Sequence, residues 1–260
     1  MTQTKAFTSL EQMIITASRV MHDGEVVYVG AGLPVAASFL AKYSQAPNAT
    51  IVFETGVIRS IPCELPIGTD SIGTQSEADL VSDGLYVNSL AQRGRITLGF
   101  MGAGQVDRYG NVNSTVVGDL ENPTLRYPGG GGACEIASLC QRTVIILRQK
   151  KQRFPEKINY ITAPGYLDGR PNSRTKAGLP NDTGPFTVIT DMATYRFENC
   201  EMVLNSVHEG VTVDEVASNV GWKLKVPEDM EVTPNPTEEE LRTLREVVDT
   251  NGLIKSGRYM

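Results

Sequence analysis

Ala49-Thr50-Ile51-Val52-Phe53-Glu54-Thr55-Gly56 places a single carboxylate at the end of an apolar, β-branched run, and a glycine turn, Val29-Gly30-Ala31-Gly32-Leu33-Pro34, lies about 20 residues before it. Such a run reads as a strand buried on both faces, the hallmark of a parallel sheet. Residues 25–29 read as a preceding strand, and Pro34 sits where a helix would start, so residues 25–53 form a βαβ unit with a right-handed crossover. An acid at the carboxyl end of such a strand faces the crevice where open α/β sheets bind ligands. Glu54 is therefore a ribose anchor, a buried structural acid or a nucleophile.

The rest of the chain fits one domain over residues 1–260. With 260 residues, 40% hydrophobic and 21% charged, it can bury a large core of ordinary α/β type. A net charge of -6 with interspersed signs argues against nucleic-acid and anionic-membrane partners. Residues 1–5 carry no basic region leading into an apolar stretch, and no window approaches the roughly 18 apolar residues of a membrane span, so a cytoplasmic home is expected. Cys63, Cys134, Cys140 and Cys200 lack CxxC spacing and nearby histidines, and read as reduced thiols used for packing.

Thr8-Ser9-Leu10-Glu11 is a capping-box pattern ahead of an amphipathic helix. Further strands are expected at residues 95–101, 143–147, 158–162 and 186–190, giving six or more in one sheet. Residues 195–198 and 202–205 read as a hairpin parted by Asn199-Cys200-Glu201, and Thr212 and Thr237 each start a helix. The fold class is an open, mainly parallel α/β sheet flanked by helices, with a C-terminal hairpin and helices.

Three glycine clusters carry the chemical signal: Gly30-Ala31-Gly32, Gly102-Ala103-Gly104 and Gly129-Gly130-Gly131-Gly132. The first two follow expected strands and the third opens a helix over residues 133–140. Glycine there lets backbone N–H groups approach an anion or a developing oxyanion. A dinucleotide is the first ligand to weigh, since Glu54 falls where an acid would bind a ribose hydroxyl. The third glycine of that fingerprint is Val35, however, and Pro34 intrudes. His22 and His208 are the only histidines, and both read as solvated turn residues. That scarcity disfavours Ser-His-Asp hydrolysis and zinc, so no metal ligands are assigned. A carboxylate nucleophile remains, given N–H donors for its oxyanion.

At this point the chain resembles the B (β) subunits of family I coenzyme A transferases, most closely those of the glutaconate type. The matching stretches are residues 27–34, Val52-Phe53-Glu54-Thr55-Gly56, Gly102-Ala103-Gly104-Gln105-Val106-Asp107-Arg108-Tyr109-Gly110-Asn111 with Val112 to Thr115, and Gly129 to Ala133. Lys150-Lys151-Gln152-Arg153-Phe154, Ile161-Thr162-Ala163-Pro164-Gly165 and Gly184-Pro185 extend it over nearly the whole chain.

The resemblance implies CoA transfer between an acyl-CoA and a small carboxylic acid, a short dicarboxylate such as glutaconate, through a glutamyl-CoA thioester on Glu54. It implies that Gly30, Ala31, Gly32, Leu33 and Pro34 contact CoA and that Gly102, Ala103, Gly104 and Gly131 line the pocket. No cofactor is permanently bound; CoA is a substrate. An A (α) partner completes the active site and oxyanion hole, in an assembly of two A and two B chains. Arg59 is read as a surface or interface arginine, with pairing to a distal carboxylate as the alternative. The main rival is a CoA-thioester hydrolase or decarboxylase of the same fold, acting on ring-cleavage or branched dicarboxyl-CoA substrates; an NAD-dependent dehydrogenase is the lower alternative.

Overall fold

Residues 6–257 and 259 are described by a computed structural model; the expectation for residues 1–5 lies outside them. The chain runs α1 (Ser9–Ser18), β1 (Val26–Val29), α2 (Leu33–Lys42), β2 (Thr50–Phe53), β3 (Val57–Ile58), β4 (Leu80–Val81), α3 (Gly84–Gln92) and β5 (Leu98–Gly102). Two small hairpins follow, β6 (Gln105–Val106) with β7 (Val112–Asn113) and β8 (Val116–Gly118) with β9 (Pro123–Arg126). Then come α4 (Ala133–Leu139), β10 (Arg142–Ile146), α5 (Ser173–Lys176), β11 (Pro185–Ile189), β12 (Ala193–Glu198), β13 (Glu201–Val207), α6 (Val213–Ser218), β14 (Glu231–Val232) and α7 (Glu238–Thr243).

A 10-stranded sheet has the order β14-β13-β12-β11-β10-β5-β1-β2-β3-β4. Its centre, from β11 through β10, β5 and β1 to β2, is parallel throughout. The antiparallel strands β3 and β4 finish one side and β12 and β13 the other, with β14 added parallel to β13. The central runs are apolar without interruption because alternate residues enter two different cores. Val27, Val29, Ile51 and Phe53 pack with α1 and α2, whereas Tyr28 and Val52 join α3 and α4 on the opposite face. Each such side chain, fully buried, contributes about 1.5–3 kcal/mol. Glu54 follows Phe53, so the period of two sends it toward the face that α4 covers.

Gly99 sets how close α4 comes. A Cβ at this position would lie 2.5 Å from Ile136 and 3.0 Å from the Cys140 sulfur, so only glycine lets α4 settle directly on β5. That contact brings the N-terminal end of α4, Gly132, over the end of β2.

Several expectations change on the structure. Residues 158–162 form no strand: Tyr160 and Ile161 are exposed, and only a bridge at Ala163 pairs with Val112. Pro155 and Pro164 flank the segment, removing ladder donors at both ends. The β12–β13 connection is shorter than expected. Asn199 and Cys200 alone form a two-residue turn with positive φ at both positions, and Glu201 already pairs with Glu198. His208 is buried, with Nε2 donating to the Thr190 carbonyl at 2.8 Å and Nδ1 3.0 Å from the Thr233 hydroxyl, so it is a structural cross-link and not a solvated residue. All four cysteines are free, but only Cys140 packs in the core; Cys63 and Cys134 are exposed.

Burial pushes the Cys140 thiol up from an ordinary 9.0 to about 12. The folded value is raised, so the stability linked to this thiol is fully present below about pH 9 and falls as pH rises toward 12. In the native protein at pH 8, a disulfide reagent should modify Cys63 and Cys134 and spare Cys140. Cys140→Ala should flatten the alkaline limb of the unfolding-midpoint profile; an unchanged limb would contradict this linkage.

Candidate active site

Glu54 is half-buried at the end of β2, and two donors fix its carboxylate. The Gly132 N–H donates to Oε2, and the Thr69 hydroxyl donates to Oε1 at 3.0 Å. Gly132 has to be a glycine here, because a Cβ would lie 2.7 Å from Oε2, 3.0 Å from the Tyr28 hydroxyl and 3.1 Å from the Glu54 Cβ. Gly131 also faces the carboxylate.

Thr69 arrives from the long excursion between β3 and β4. Its carbonyl accepts from the Thr55 hydroxyl at 3.0 Å, a 3₁₀ turn over Ile72–Gln75 follows it, and Tyr259 donates to the Pro66 carbonyl at 2.9 Å. The C-terminal end of the chain thus anchors the segment that carries Thr69. Beneath Glu54, the Tyr28 hydroxyl donates to Asn88 Oδ1 at 3.0 Å. Burial, with the Glu54 and Glu135 charges adding to it, holds the Tyr28 phenol well above its ordinary range, so it stays protonated and neutral.

Two cavities adjoin here, and the first of them opens on this carboxylate. One of about 350 Å³ is lined by Gly30, Glu54, Met101 and the glycine run from Gly129 to Gly131. The other, of about 320 Å³, is lined by Gly32, Leu33, Pro34, Ala103, Gly104, Tyr127, Arg148 and Arg153. Ala31, Gly102, Ser114 and Pro128 border both, which makes them one cleft. All ten residues singled out from the sequence, Glu54, Gly30, Ala31, Gly32, Leu33, Pro34, Gly102, Ala103, Gly104 and Gly131, therefore meet along it.

The third glycine cluster opens α4, as expected, and reaches the cleft by another route than the first two. It follows β9 of a small separate hairpin and does not extend a strand of the large sheet. Backbone bonds tether it: Gly129 N–H donates to the Ser114 carbonyl and Tyr127 N–H to the Thr115 carbonyl, both at 2.9 Å. Ser114 N–H in turn donates to the Thr162 hydroxyl at 2.9 Å. The stretch after Gly104 is scaffold: Asp107 accepts from the N–H groups of Tyr109 and Asn111 at 3.0 Å and closes the β6–β7 turn.

Arg59 lies elsewhere. Its N–H bonds the Ile51 carbonyl near the start of β2, and its side chain pairs with Asp79 at 3.0 Å with both partners exposed. The surface reading holds and the alternative of a distal carboxylate at this residue does not. Sequence reasoning passes over Thr69, Tyr28, Ser114, Tyr127, Arg148 and Arg153. Of these Tyr28, Ser114 and Arg153 lie in stretches that carry the family resemblance, Arg153 in the basic run that begins at Lys150, but none is marked there as a site residue. Among the described residues no cluster of three or more His, Cys, Asp or Glu side chains suits a metal ion, and no helix is long and apolar enough to cross a membrane.

Comparison with known proteins agrees with this geometry. The chain is 39% identical over 243 residues to the B subunit of 3-oxoadipate CoA-transferase from Pseudomonas knackmussii, spanning 92% of this chain and 93% of that protein. It is 33% identical over 251 residues to the B subunit of glutaconate CoA-transferase from Acidaminococcus fermentans, spanning 94% of this chain and 93% of that protein. The 3-oxoadipate relative is thus the more similar of the two, although the motifs point to the glutaconate type. The crystal structure of glutaconate coenzyme A-transferase from Acidaminococcus fermentans superposes with a TM-score of 0.89 at 30% identity, covering 96% of this chain and 98% of that one. Residues 10–219 match the coenzyme A transferase family, and with near full-length similarity to its B subunits the chain belongs to that family.

Proposed function

We propose that the chain, with an A (α) partner chain, moves CoA between an acyl-CoA and a short dicarboxylic acid through a glutamyl-CoA thioester on Glu54. The observation that carries this reading is the Glu54 carboxylate, aimed into the cleft and fixed by the Gly132 N–H and the Thr69 hydroxyl. A carboxylate oxygen attacks the thioester carbonyl, and CoA leaves as its thiolate, giving a mixed anhydride. The thiolate then attacks the Glu54 carbonyl, releasing the first acid and leaving CoA on Glu54. In that second step negative charge develops on an oxygen of Glu54, where the Gly132 N–H already sits as an oxyanion donor. The acceptor acid reverses the two steps, and thioester energy is conserved throughout.

The names of the two relatives, acting on 3-oxoadipate and glutaconate, support a dicarboxylic substrate, and their designation as B subunits supports an A (α) partner; the assembly of two A and two B chains is proposed on the family resemblance alone. Gly30 to Pro34 and Gly102 to Gly104 are the proposed contacts to CoA, with Gly131 beside the reacting carbonyl.

Oxygen bookkeeping tests the reading. The released acid takes one oxygen from Glu54, and the acceptor acid returns one. With ¹⁸O-labelled acceptor, label should appear in the acid released on later turnovers; with labelled water, it should not. Solvent oxygen in the released acid, at the rate of thioester loss, would establish hydrolysis instead.

A further inference from the structure

Two arginines line the cleft with no counter-charge of their own. Among the described residues the side chains of Arg148 and Arg153 make no hydrogen bond or ion pair, yet both are half-buried on the cavity wall. Of the other half-buried arginines, Arg19 is answered by Glu240, Arg142 by Glu25 and Arg196 by Glu198 and Asp229, whereas Arg108 lies over the Tyr109 ring and lines a different cavity. A guanidinium drawn partly out of water without a partner gains most when an anion arrives, because its fork matches a carboxylate with two parallel hydrogen bonds. In the run Arg148-Gln149-Lys150-Lys151-Gln152-Arg153, Lys150 and Lys151 are exposed and line neither cavity, so the two arginines are its inward members.

The sheet register sets the scale. Phe53 pairs with Val29, Val29 with Phe100 and Phe100 with Val144, so β10, which leads to Arg148, lies three strands from β2, which leads to Glu54. At about 4.8 Å per strand this is roughly 14 Å across the sheet, and Arg148 lies three residues, about 10 Å, beyond the level of Glu54 along the strand direction, so the two backbones are roughly 17 Å apart. The Glu54 and arginine side chains each reach into that span from opposite ends. What remains suits the carbon chain of a short diacid, and it is less than the pantetheine arm between the CoA thiol and its phosphates.

We infer that Arg148 and Arg153 hold the distal carboxylate of the acyl group or acceptor acid, so that this cleft selects dicarboxylic over monocarboxylic acids. The inference rests on the transfer reading for its chemistry and on the cavity alone for its binding. It is tested on the assembled A–B complex with glutarate and valerate, acids of equal length that differ in one carboxylate. Binding is measured by calorimetry and kcat/KM with each acid as acceptor. Arg148→Gln combined with Arg153→Gln should lower the glutarate-to-valerate ratio, in affinity and in kcat/KM, by at least tenfold, as loss of a charge-assisted pair implies; Arg148→Lys with Arg153→Lys should restore part of it.

An unchanged ratio would overturn the inference. So would a loss that is equal for both acids and vanishes when a pantetheine thioester replaces the CoA thioester as donor, since the arginines would then be reading CoA phosphates. The calorimetric ratio stands without turnover, so an assembly that binds glutarate through the arginines but shows no ¹⁸O passage between acids would sink the transfer reading alone.

Discussion

Glu54→Gln should abolish transfer, lowering kcat/KM on the order of 10³-fold or more, while the protein keeps its fold and its partner. The substitution preserves shape and removes the nucleophile. An amide oxygen in place of Oε2 still accepts from the Gly132 N–H, and the new NH₂ group meets the Thr69 hydroxyl, whose oxygen can accept in turn. No buried polar atom is orphaned, so the unfolding midpoint should move by no more than about 2–4 °C, corresponding to roughly 1 kcal/mol in a chain of this size. Circular dichroism melts and size-exclusion of the coexpressed complex check that half of the prediction. A variant that melts far below the parent or loses its partner would make Glu54 a structural acid.

Gly132→Ala should be the next most damaging change, lowering kcat about 10²-fold with little effect on stability. Gly132 has φ of -79°, an angle any residue adopts, so alanine brings no backbone strain. Its methyl carbon would instead land 2.7 Å from Glu54 Oε2 and 3.0 Å from the Tyr28 hydroxyl. Tyr28 is fully buried and tied to Asn88, so the Glu54 side chain is the group that must give way. A displacement of about 1 Å at a reacting group is worth about 10²-fold in rate. Steady-state kinetics of the coexpressed complex would check this, and a variant with undiminished kcat would show that the carboxylate does not work in the position described.

The parallel centre of the fold is legible because burial on both faces writes an apolar run that local sequence cannot hide. The βαβ unit ends at its observed limit, Phe53, and β1, β5, β10 and β11 fall within a few residues of theirs. The three capping boxes at Thr8, Thr212 and Thr237 are equally visible, since each places its acid three residues on. The edges are not legible. β3, β4 and β14 have two residues each, too few for any period, and are held in place by pairing to a neighbour. Residues 158–162 fail in the other direction: a β-branched composition without a neighbouring strand makes no ladder.

The site divides along the same line. Glycines that approach a ligand and an acid at a strand end leave local marks, and Gly30, Gly32, Gly102, Gly104, Gly131 and Glu54 share one cleft with the four neighbours that the resemblance adds, Ala31, Leu33, Pro34 and Ala103. Thr69 leaves none, because its position depends on the Tyr259 hydroxyl holding Pro66, residues 193 apart in the chain. Arg148 follows a strand whose register with β5 brings it to the cleft, again a long-range fact. Cys140 packs as its sequence context suggests, but Gly99, the residue that makes room for its helix, gives no sign of that in sequence.

Covalent capture on Glu54 tests the transfer chemistry most directly. The assembled A–B complex is incubated with acyl-CoA, then treated with borohydride or with hydroxylamine, digested, and the peptide bearing Glu54 weighed by mass spectrometry. A glutamyl-CoA thioester predicts an alcohol after borohydride or a hydroxamate after hydroxylamine, at Glu54 and only after exposure to acyl-CoA. An unmodified Glu54 in a complex that consumes the thioester would contradict it.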